Sequence, residues 1–489
     1  MLLASISDRP RERFSLLLAL LVAVEFSVGL GSTMIYSALA TLYALFGDPT
    51  RVTWLITAYF LTSAVSAALC GRLGDVYGRR RMLLLILAVA TVGSAISAVA
   101  NDLTVIIFGR ALQGLGMAIL PLAFGILREN ARDARDLNLG VGVLGGTYSL
   151  SAGVGFLLGG AIVDNWRWQH VFSVSGAAAA LVLIFAFRFL PKDHAPKSRG
   201  RLDWLGALFV LPTSALLLAL TFGRSLGWGS PVIVMLLAGG AASLAGWALH
   251  ELRHRNPLID IRLLSNPTIL VVNVAIFFTA MAPMIYAQVI LPLLQQPAWT
   301  GVGFGFSATV GGILKMPTNA TSALAGIGAG LVARRHSMRP AIIAAALANC
   351  LAFGSLICLH GSVVFVVAMC IFLIAPAVTI FFGCAPALII EAAPPERTSE
   401  ATGLSSMLRA VAMAIGTQVI AYSMATSEIS NREGVSFPDE HAYATTFMIM
   451  TGCCLASLLL ALLIPGGGSV KESGNLSVAP ARRANPSTR

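Results

Sequence analysis

Long apolar stretches alternate with short polar segments along almost the entire chain. A helix of about 20 apolar residues crosses the hydrocarbon core of a bilayer, and each stretch is about that long. Their regular recurrence predicts an all-α polytopic membrane protein with fourteen membrane-spanning helices. The stretches cover approximately residues 14–38, 52–70, 82–100, 104–127, 139–163, 171–190, 204–222, 232–250, 268–293, 306–331, 340–359, 363–390, 403–426 and 444–464.

The amino-acid composition also indicates a membrane protein. Of the 489 residues, 57% are hydrophobic and 11% are charged, whereas soluble domains carry about 25% charged residues. These values exclude an ordinary soluble enzyme, a disordered chain and a soluble protein with one membrane anchor. The net charge of +11 would suggest a nucleic-acid partner for a soluble protein. Here we attribute the charge to basic loops and expect no nucleic-acid partner.

The basic residues also predict the orientation in the membrane. With fourteen spans, 27 of the 33 Lys and Arg residues fall on the side of both termini, and four fall on the opposite side. Lys and Arg concentrate in cytoplasmic loops of membrane proteins. We therefore expect a multi-pass protein of the plasma (inner) membrane with both termini in the cytoplasm.

A basic turn follows both the second and the tenth predicted span. The two turns read GRLGDVYGRRRML at 71–83 and GLVARRHSMRP at 330–340. Internal repetition of this kind is typical of transporters. We therefore expect an N-terminal six-helix bundle over 1–190 and a C-terminal six-helix bundle over 263–465. Between them, a linker over 191–262 would hold two additional membrane-spanning helices, and residues 466–489 would form a disordered cytoplasmic tail.

The first of these turns resembles the loop between helices 2 and 3 of the major facilitator superfamily. The matching residues are Gly71, Asp75, Gly78, Arg79 and Arg80. Glycines at these positions let helix ends approach closely, and a carboxylate among arginines can hold two bundles together or release them. The resemblance implies a loop that switches with the conformation of the protein.

The fourth span resembles the same superfamily in its segment FGRALQGLGMA. Arg110 and Gln113 match the R-x-x-Q-G-x-G pattern, and the resemblance implies a role for Arg110 in proton coupling. An arginine inside a span is costly unless it faces a cavity, water or a carboxylate. The alternative is a side chain that extends to the outer headgroups.

The fifth span resembles the glycine-rich helix of the drug:proton antiporters of the superfamily. Gly142, Gly155, Gly159 and Gly160 match that pattern and predict close helix packing. Phe156 stands where those antiporters have proline, so the kink that proline would cause is not expected. This difference favours the general assignment as a transporter over the narrower assignment as a drug antiporter.

Other segments extend the resemblance to the 14-helix drug:proton antiporter family. RLDWLGALFV at 201–210 and NPLIDIRLLSN at 256–266 resemble stretches beside its two extra helices. GLSSMLRAVAMAIG, with Arg409 and Gly416, resembles its helix 13. The resemblance covers nearly the whole chain to about residue 465.

Two further charges are expected near the middle of the membrane. Glu25 lies in the first span and Lys315 in the tenth, and each is predicted to face a cavity or a partner. Our hypothesis is that Glu25 binds a proton or a cationic substrate, one excluding the other, with Lys315 as its partner or as a site for an anionic group. Alternatively, Glu25 is permanently neutral and hydrogen-bonded, and Lys315 pairs with carbonyls near Pro317.

Motifs that would bind ATP or a metal ion are absent from the sequence, and this limits the energy sources that could drive transport. The sequence has no G-x-x-x-x-G-K-[ST] phosphate loop for ATP and no cluster of metal ligands, so we expect neither cofactor nor metal. We predict a monomeric transporter in the lipid bilayer, not an enzyme, which exports small amphipathic or cationic compounds in exchange for protons. A proton-linked importer or metabolite exporter of the same fold is the main alternative, and a non-transporting membrane sensor is a remote one.

Overall fold

The part of the protein that the structure describes is nearly all helical, and the helices are of the membrane-spanning kind. The computed structural model describes residues 10–131, 133–192, 205–254, 257, 260–333, 338–394, 397–430 and 436–465. Helices dominate because a backbone in lipid must satisfy its own hydrogen bonds. Within the described residues, eleven helical segments are long and apolar enough to cross a membrane. The predicted disordered tail over 466–489 lies outside the described residues.

The α-helices are numbered in chain order. They are α1 (Pro10–Ser37), α2 (Leu39–Phe46), α3 (Pro49–Val52), α4 (Trp54–Tyr77), α5 (Arg79–Val99), α6 (Leu103–Gly114), α7 (Ile119–Asn130), α8 (Ala134–Asn165), α9 (His170–Phe189), α10 (Val210–Leu226), α11 (Pro231–Arg253), α12 (Pro267–Met281), α13 (Ala287–Gln295), α14 (Ala308–Ala333), α15 (Met338–Leu359), α16 (Val363–Met369), α17 (Ala375–Ala392), α18 (Thr398–Met424) and α19 (Glu440–Leu463).

Short segments interrupt or connect these helices. The 3₁₀ turns are Leu115–Ala118, Gly206–Phe209, Ile261–Ser265, Pro283–Ile285 and Ala298–Thr300, and Cys370–Ile374 forms a π-helical turn between α16 and α17. Two strands, β1 (Glu428–Ser430) and β2 (Ser436–Pro438), pair antiparallel before α19. The hydrophobic pattern did not predict this hairpin, because three-residue strands carry no usable periodicity.

The predicted all-α membrane fold is confirmed, and every predicted stretch contains a helix. Eleven stretches correspond to the eleven segments that meet the criteria of length and hydropathy. The other three correspond to α4, to the shorter α10 and to α14. The number of fourteen membrane crossings therefore stays a prediction.

The helices pack in two groups that meet along two seams. In the first group α1 packs on α8 and α9, and α5 packs on α6 and α9. In the second group α12 packs on α18 and α19, and α15 packs on α17 and α19. The seams are α4 against α18 and α8 against α14. Helices α10 and α11 pack on each other, and α10 also contacts α4 and α18.

The two groups share one core on one side of the membrane and have separate cores on the other. We call the side that holds residues 10 and 465 the termini side, and the opposite side the far side. The far-side core joins residues of both groups, such as Leu39 and Leu42 with Leu291 and Leu294. On the termini side, one core surrounds Leu21 and Leu122 of the first group. A separate core of the second group also takes in Ala64 and Leu69 of α4. The protein is therefore closed on the far side.

The glycines of α8 show where the groups separate. Residues 142, 146, 153 and 160 lie along one face of the helix, because they are separated by four or seven residues, which is about one or two helical turns. A Cβ placed at Gly160 would clash with the backbone of Ala308, and one at Gly153 would contact Asn319. A Cβ at Gly146 or Gly142 would meet nothing within 4 Å. Helices α8 and α14 thus diverge from the far side towards the termini side.

Candidate functional site

Glu25 lies in α1 with its carboxylate enclosed by protein. The residue is 3% exposed, and Oε2 has no hydrogen-bond partner among the described residues. Tyr59 of α4 and Tyr148 of α8 lie within electrostatic range of the carboxylate. A carboxyl group without a fixed partner is chemically suited to exchange a proton or to receive a cation.

Arg110 of α6 is 1% exposed and makes its contacts with backbone oxygens of other helices. Its Nε donates to the carbonyl of Leu55 at 3.0 Å, and its Nη1 donates to the carbonyl of Gly31 at 2.9 Å. Nη1 also donates to Oε1 of Gln113 at 2.7 Å, and the guanidinium lies 4.4 Å from the ring centroid of Tyr59. Arg110 therefore ties α1 and α4 to α6, without reaching the headgroups.

Gln113 lines a small pocket inside the first group of helices. Its Nε2 has no hydrogen-bond partner among the described residues, and the same is true of the Tyr59 hydroxyl. Ser27, Ser94 and Ser175 also line this pocket. The volume of the pocket, about 20 Å³, is enough for about one water molecule, which these polar groups can bind.

Lys315 lies at the seam between α8 and α14. Its Nζ donates to the hydroxyl of Tyr286 at 2.5 Å and lies 4.9 Å from the ring centroid of Phe156. No ion pair links it to Glu25. The hypothesised pairing of these two charges is therefore not formed in this conformation, and Lys315 instead has a hydroxyl and aromatic faces as partners.

The basic turn after α4 connects helices of the first group. Gly78 has φ 101°, a conformation that residues with a side chain rarely adopt, and it separates α4 from α5. Arg79 pairs with Glu129 at 3.6 Å, and Arg80 donates to the carbonyl of Phe187 at 2.6 Å. The details at Gly71 and the side chain of Asp75 lie outside the described part of the chain.

Glycines of α8 allow close contact on two faces of the helix. Gly155 lies against Thr33, and Gly159 lies against the backbone of Met34, both in α1. Gly160 lies against α14, whose own Gly312 lies against the backbone of Phe156. Gly142 has no neighbour at its Cβ position. Of the predicted packing glycines, Gly155, Gly159 and Gly160 therefore pack closely towards the closed far side, whereas Gly142 lies in open space towards the termini side.

Three polar side chains at the seams were not singled out as site residues from the sequence. Asp164, at the end of α8, accepts hydrogen bonds from the backbone N–H groups of Ala308 and Thr309 at the start of α14. Tyr148 lies near Glu25, and Arg409 of α18 lies near Tyr148. The signal for Arg409 was its position in an apolar stretch, but sequence spacing does not say which helix it faces.

A buried polar cluster joins three helices on the far side. Gln418 of α18 donates to the hydroxyl of Thr57 at 2.9 Å and accepts from Thr221 of α10 at 3.2 Å. Trp54 donates its indole N–H to Thr221 at 2.9 Å. These contacts connect the first group, an extra helix and the second group.

In the described residues no group of three or more His, Cys, Asp or Glu side chains could hold a metal ion.

Comparison with known proteins gives one family across most of the chain. The sequence pattern described as "Major Facilitator Superfamily" matches residues 21–417. An "Acurin A biosynthesis cluster MFS-type transporter" of Aspergillus aculeatus is 30% identical over 328 residues, which are 65% of this chain and 58% of that protein. "Multidrug transporter protein MdtP" of Bacillus subtilis is 28% identical over 337 residues, 68% of this chain and 60% of that protein. The chain thus spans less than two thirds of these relatives' lengths.

Solved structures share the fold at low sequence identity. The structure described as "peptide transporter POT in complex with sulfate" superposes with a TM-score of 0.65 at 15% identity. The match covers 92% of this chain and 93% of that chain. At this identity the likeness concerns the fold alone.

Proposed function

Because the chain belongs to the major facilitator superfamily and is a membrane transporter, we propose that it exports small amphipathic or cationic compounds in exchange for protons. The observation that carries the proposal is Glu25, a carboxyl group enclosed between helices without a hydrogen-bond partner at Oε2. A relative named as an efflux pump supports the direction, and relatives named as a multidrug transporter and a multidrug resistance protein support drugs as the substrate class.

The proposed mechanism needs two halves that move against each other. We take these halves to be residues 1–190 and 263–465, with 191–262 as the linker that carries α10 and α11. The shared core on the far side and the separate cores on the termini side support one end state of such a movement. If both termini are cytoplasmic, as proposed, this state is open to the cytoplasm and can receive a compound for export.

Glu25 would couple the proton to the substrate by competition. An ionised carboxylate in the membrane interior is costly without a partner. A proton or a cationic group of the substrate can each remove that cost, and one excludes the other. Binding of a proton from the far side would therefore release the substrate, and the proton would leave on the cytoplasmic side.

Arg110 offers a route from Glu25 to the helix contacts. Both Glu25 and the Gly31 carbonyl belong to α1, and Arg110 joins that carbonyl to α4. A shift of α1 on protonation of Glu25 would be passed to α4 and α6 through these hydrogen bonds. We propose that Gln113 and Arg110 keep α1, α4 and α6 together, so that the first half moves as a rigid unit.

Lys315 lies in α14 of the second half, at the seam where α14 packs against α8 of the first half. Its ammonium group contacts Tyr286 of the second half and the face of Phe156 of the first half. We propose that Lys315 is released from Phe156 when α8 and α14 separate on the far side. The monomer would be sufficient for this cycle, in the plasma (inner) membrane.

Everted membrane vesicles test the proposal. With an imposed proton gradient, addition of lipophilic cations, neutral drugs and organic anions should dissipate the gradient for a subset of compounds. Glu25→Gln should abolish this coupled proton movement, while Glu428→Gln, an exposed glutamate on the far side, should leave it unchanged. Coupled movement that survives in the Glu25→Gln protein would refute the role of Glu25. Uptake by right-side-out vesicles, with no export, would establish the importer instead.

A further inference from the structure

Arg409 is a cation inside the membrane that has no counterion among the described residues. It lies in the membrane-spanning helix α18 and is half-buried. Among the described residues it makes neither a hydrogen bond nor an ion pair, and its nearest recorded partner is the ring of Phe382, 5.6 Å from its guanidinium carbon to the ring centroid. The donors of Arg110, in contrast, are directed at carbonyl oxygens. Five N–H donors of Arg409 are thus available to another molecule.

The position of Arg409 along α18 places it where the two groups of helices have separate cores. Met407 and Ala410, on either side of it in the chain, belong to the termini-side core of the second group, and the core of the first group is separate from it. Tyr148 of α8, in the first group, lies within electrostatic range of both Arg409 and Glu25. Arg409 therefore lies near a residue of the other half at a level where the two halves do not share a core.

We propose that Arg409 binds an acidic group of the transported compound. The substrates would then be amphipathic compounds that carry a carboxylate, sulfonate or phosphate next to an apolar or aromatic body. This inference rests on the proposed function and narrows its substrate class. Hydrogen bonds between a guanidinium and such an anion are strong, and the low dielectric of the membrane interior strengthens them further.

The neighbouring groups fit the rest of such a compound. Phe382 offers an aromatic face beside the guanidinium for the apolar body. Tyr148 offers a hydroxyl group within electrostatic range of both charged residues. A compound with an acidic group at one end and an amine at the other can pair with both Arg409 and Glu25.

Matched fluorescent probes test this assignment. Dansylglycine, an amphipathic carboxylate, and its uncharged methyl ester are measured for binding to the purified protein in nanodiscs. The protein is wild type, Arg409→Gln, Arg409→Lys or Arg224→Gln, the last an exposed arginine at the end of α10. Arg409→Gln should weaken binding of the acid at least about tenfold and leave the ester unchanged, and Arg409→Lys should retain part of the affinity. Arg224→Gln should behave as wild type.

The lipid composition separates a substrate from a headgroup as the source of the anion. In nanodiscs of phosphatidylcholine alone the acid should bind as stated, whereas an anionic lipid that competes for Arg409 would overturn the assignment to substrate. Equal binding of acid and ester by wild type, or equal affinity of wild type and Arg409→Gln for the acid, would also overturn it. Coupled export of cations would still establish the proposed function in that case, so the two failures are distinct.

Discussion

Arg80 and Arg339 make the same contact at equivalent places in the two halves of the chain. Arg80 donates from Nη2 to the carbonyl of Phe187 at 2.6 Å, and Arg339 donates from Nη2 to the carbonyl of Leu462 at 2.9 Å. Each arginine lies at the start of a helix that follows one of the two basic loops, α5 or α15. Each carbonyl lies near the end of the last helix of its half, α9 or α19. The two residues also coincide when Gly71 is aligned with Gly330 in the repeated turns.

Removal of either arginine should lower the free energy of unfolding of the protein by a similar amount. The last carbonyls of a helix lack partners within that helix, and a cation near them is favourable by about 0.3–1 kcal/mol at exposed sites. We expect Arg80→Ala and Arg339→Ala each to lower the thermal unfolding temperature in detergent by about one degree or less, because the entropy of unfolding of a chain of 489 residues is large. Arg80→Lys and Arg339→Lys should restore most of the loss. An effect confined to one half would contradict the equivalence of the two contacts.

Asp164 should hold the far side closed. Its carboxylate accepts from the N–H groups of Ala308 at 2.9 Å and Thr309 at 2.7 Å, where the helix dipole of α14 favours a negative charge. Asp164→Asn should therefore open the far side more often. Spin labels at positions 51 and 428, in a background without the seven native cysteines, should report a longer distance.

The control for this measurement is Asp439→Asn. Asp439 accepts from the N–H of Ala442 and thus caps α19 within the second group of helices. Its loss should destabilise α19 locally but leave the distance across the far side unchanged. If both variants gave the same distance distribution as wild type, the Asp164 contact would not control closure.

Glycines at the two ends of α8 should respond oppositely to alanine. A Cβ at Gly160 would clash with the backbone of Ala308, so Gly160→Ala should disrupt the closed far side. A Cβ at Gly142 has open space in the present conformation. Gly142→Leu should therefore preserve the unfolding temperature but slow transport, because α8 must approach the second half when the termini side closes. Full transport by Gly142→Leu would argue against that closure.

Thr57 and Gln418 should be energetically coupled. The buried amide of Gln418 donates to Thr57 and accepts from Thr221, and a buried polar group without its partner costs about 1–3 kcal/mol. Thr57→Val and Gln418→Leu should each lower stability, and the double variant should lose less than the sum of the two. Additive losses in chemical unfolding would show that the hydrogen bond contributes nothing of its own.

Tyr286 should determine how Lys315 is held. The Lys315 ammonium donates to the Tyr286 hydroxyl and also lies 3.8 Å from the centroid of that ring. Tyr286→Phe removes the acceptor but keeps the aromatic face, so it should cost less transport activity than Tyr286→Leu. Initial rates in vesicles would measure the difference. Equal loss in both variants would show that the hydroxyl contact alone matters.

The hydrophobic pattern predicted the helices well because each span is a local property of the chain. An apolar stretch of about 20 residues has one stable structure in lipid, whatever its neighbours are. The predicted stretches accordingly all contain helices. Short features such as β1 and β2, or the turn Pro283–Ile285 between α12 and α13, depend on a few residues and were not predicted.

The sequence by itself determined the membrane class, the repeated basic turns and the residue types that are costly in lipid, since charge and hydropathy can be counted along the chain. Only the tertiary structure decided the partners of those residues. Arg110 binds backbone carbonyls, Lys315 binds Tyr286 rather than Glu25, and Arg409 lies beside the ring of Phe382. Helices that are adjacent in sequence need not be adjacent in space, and which face of a helix meets which neighbour depends on packing between distant parts of the chain.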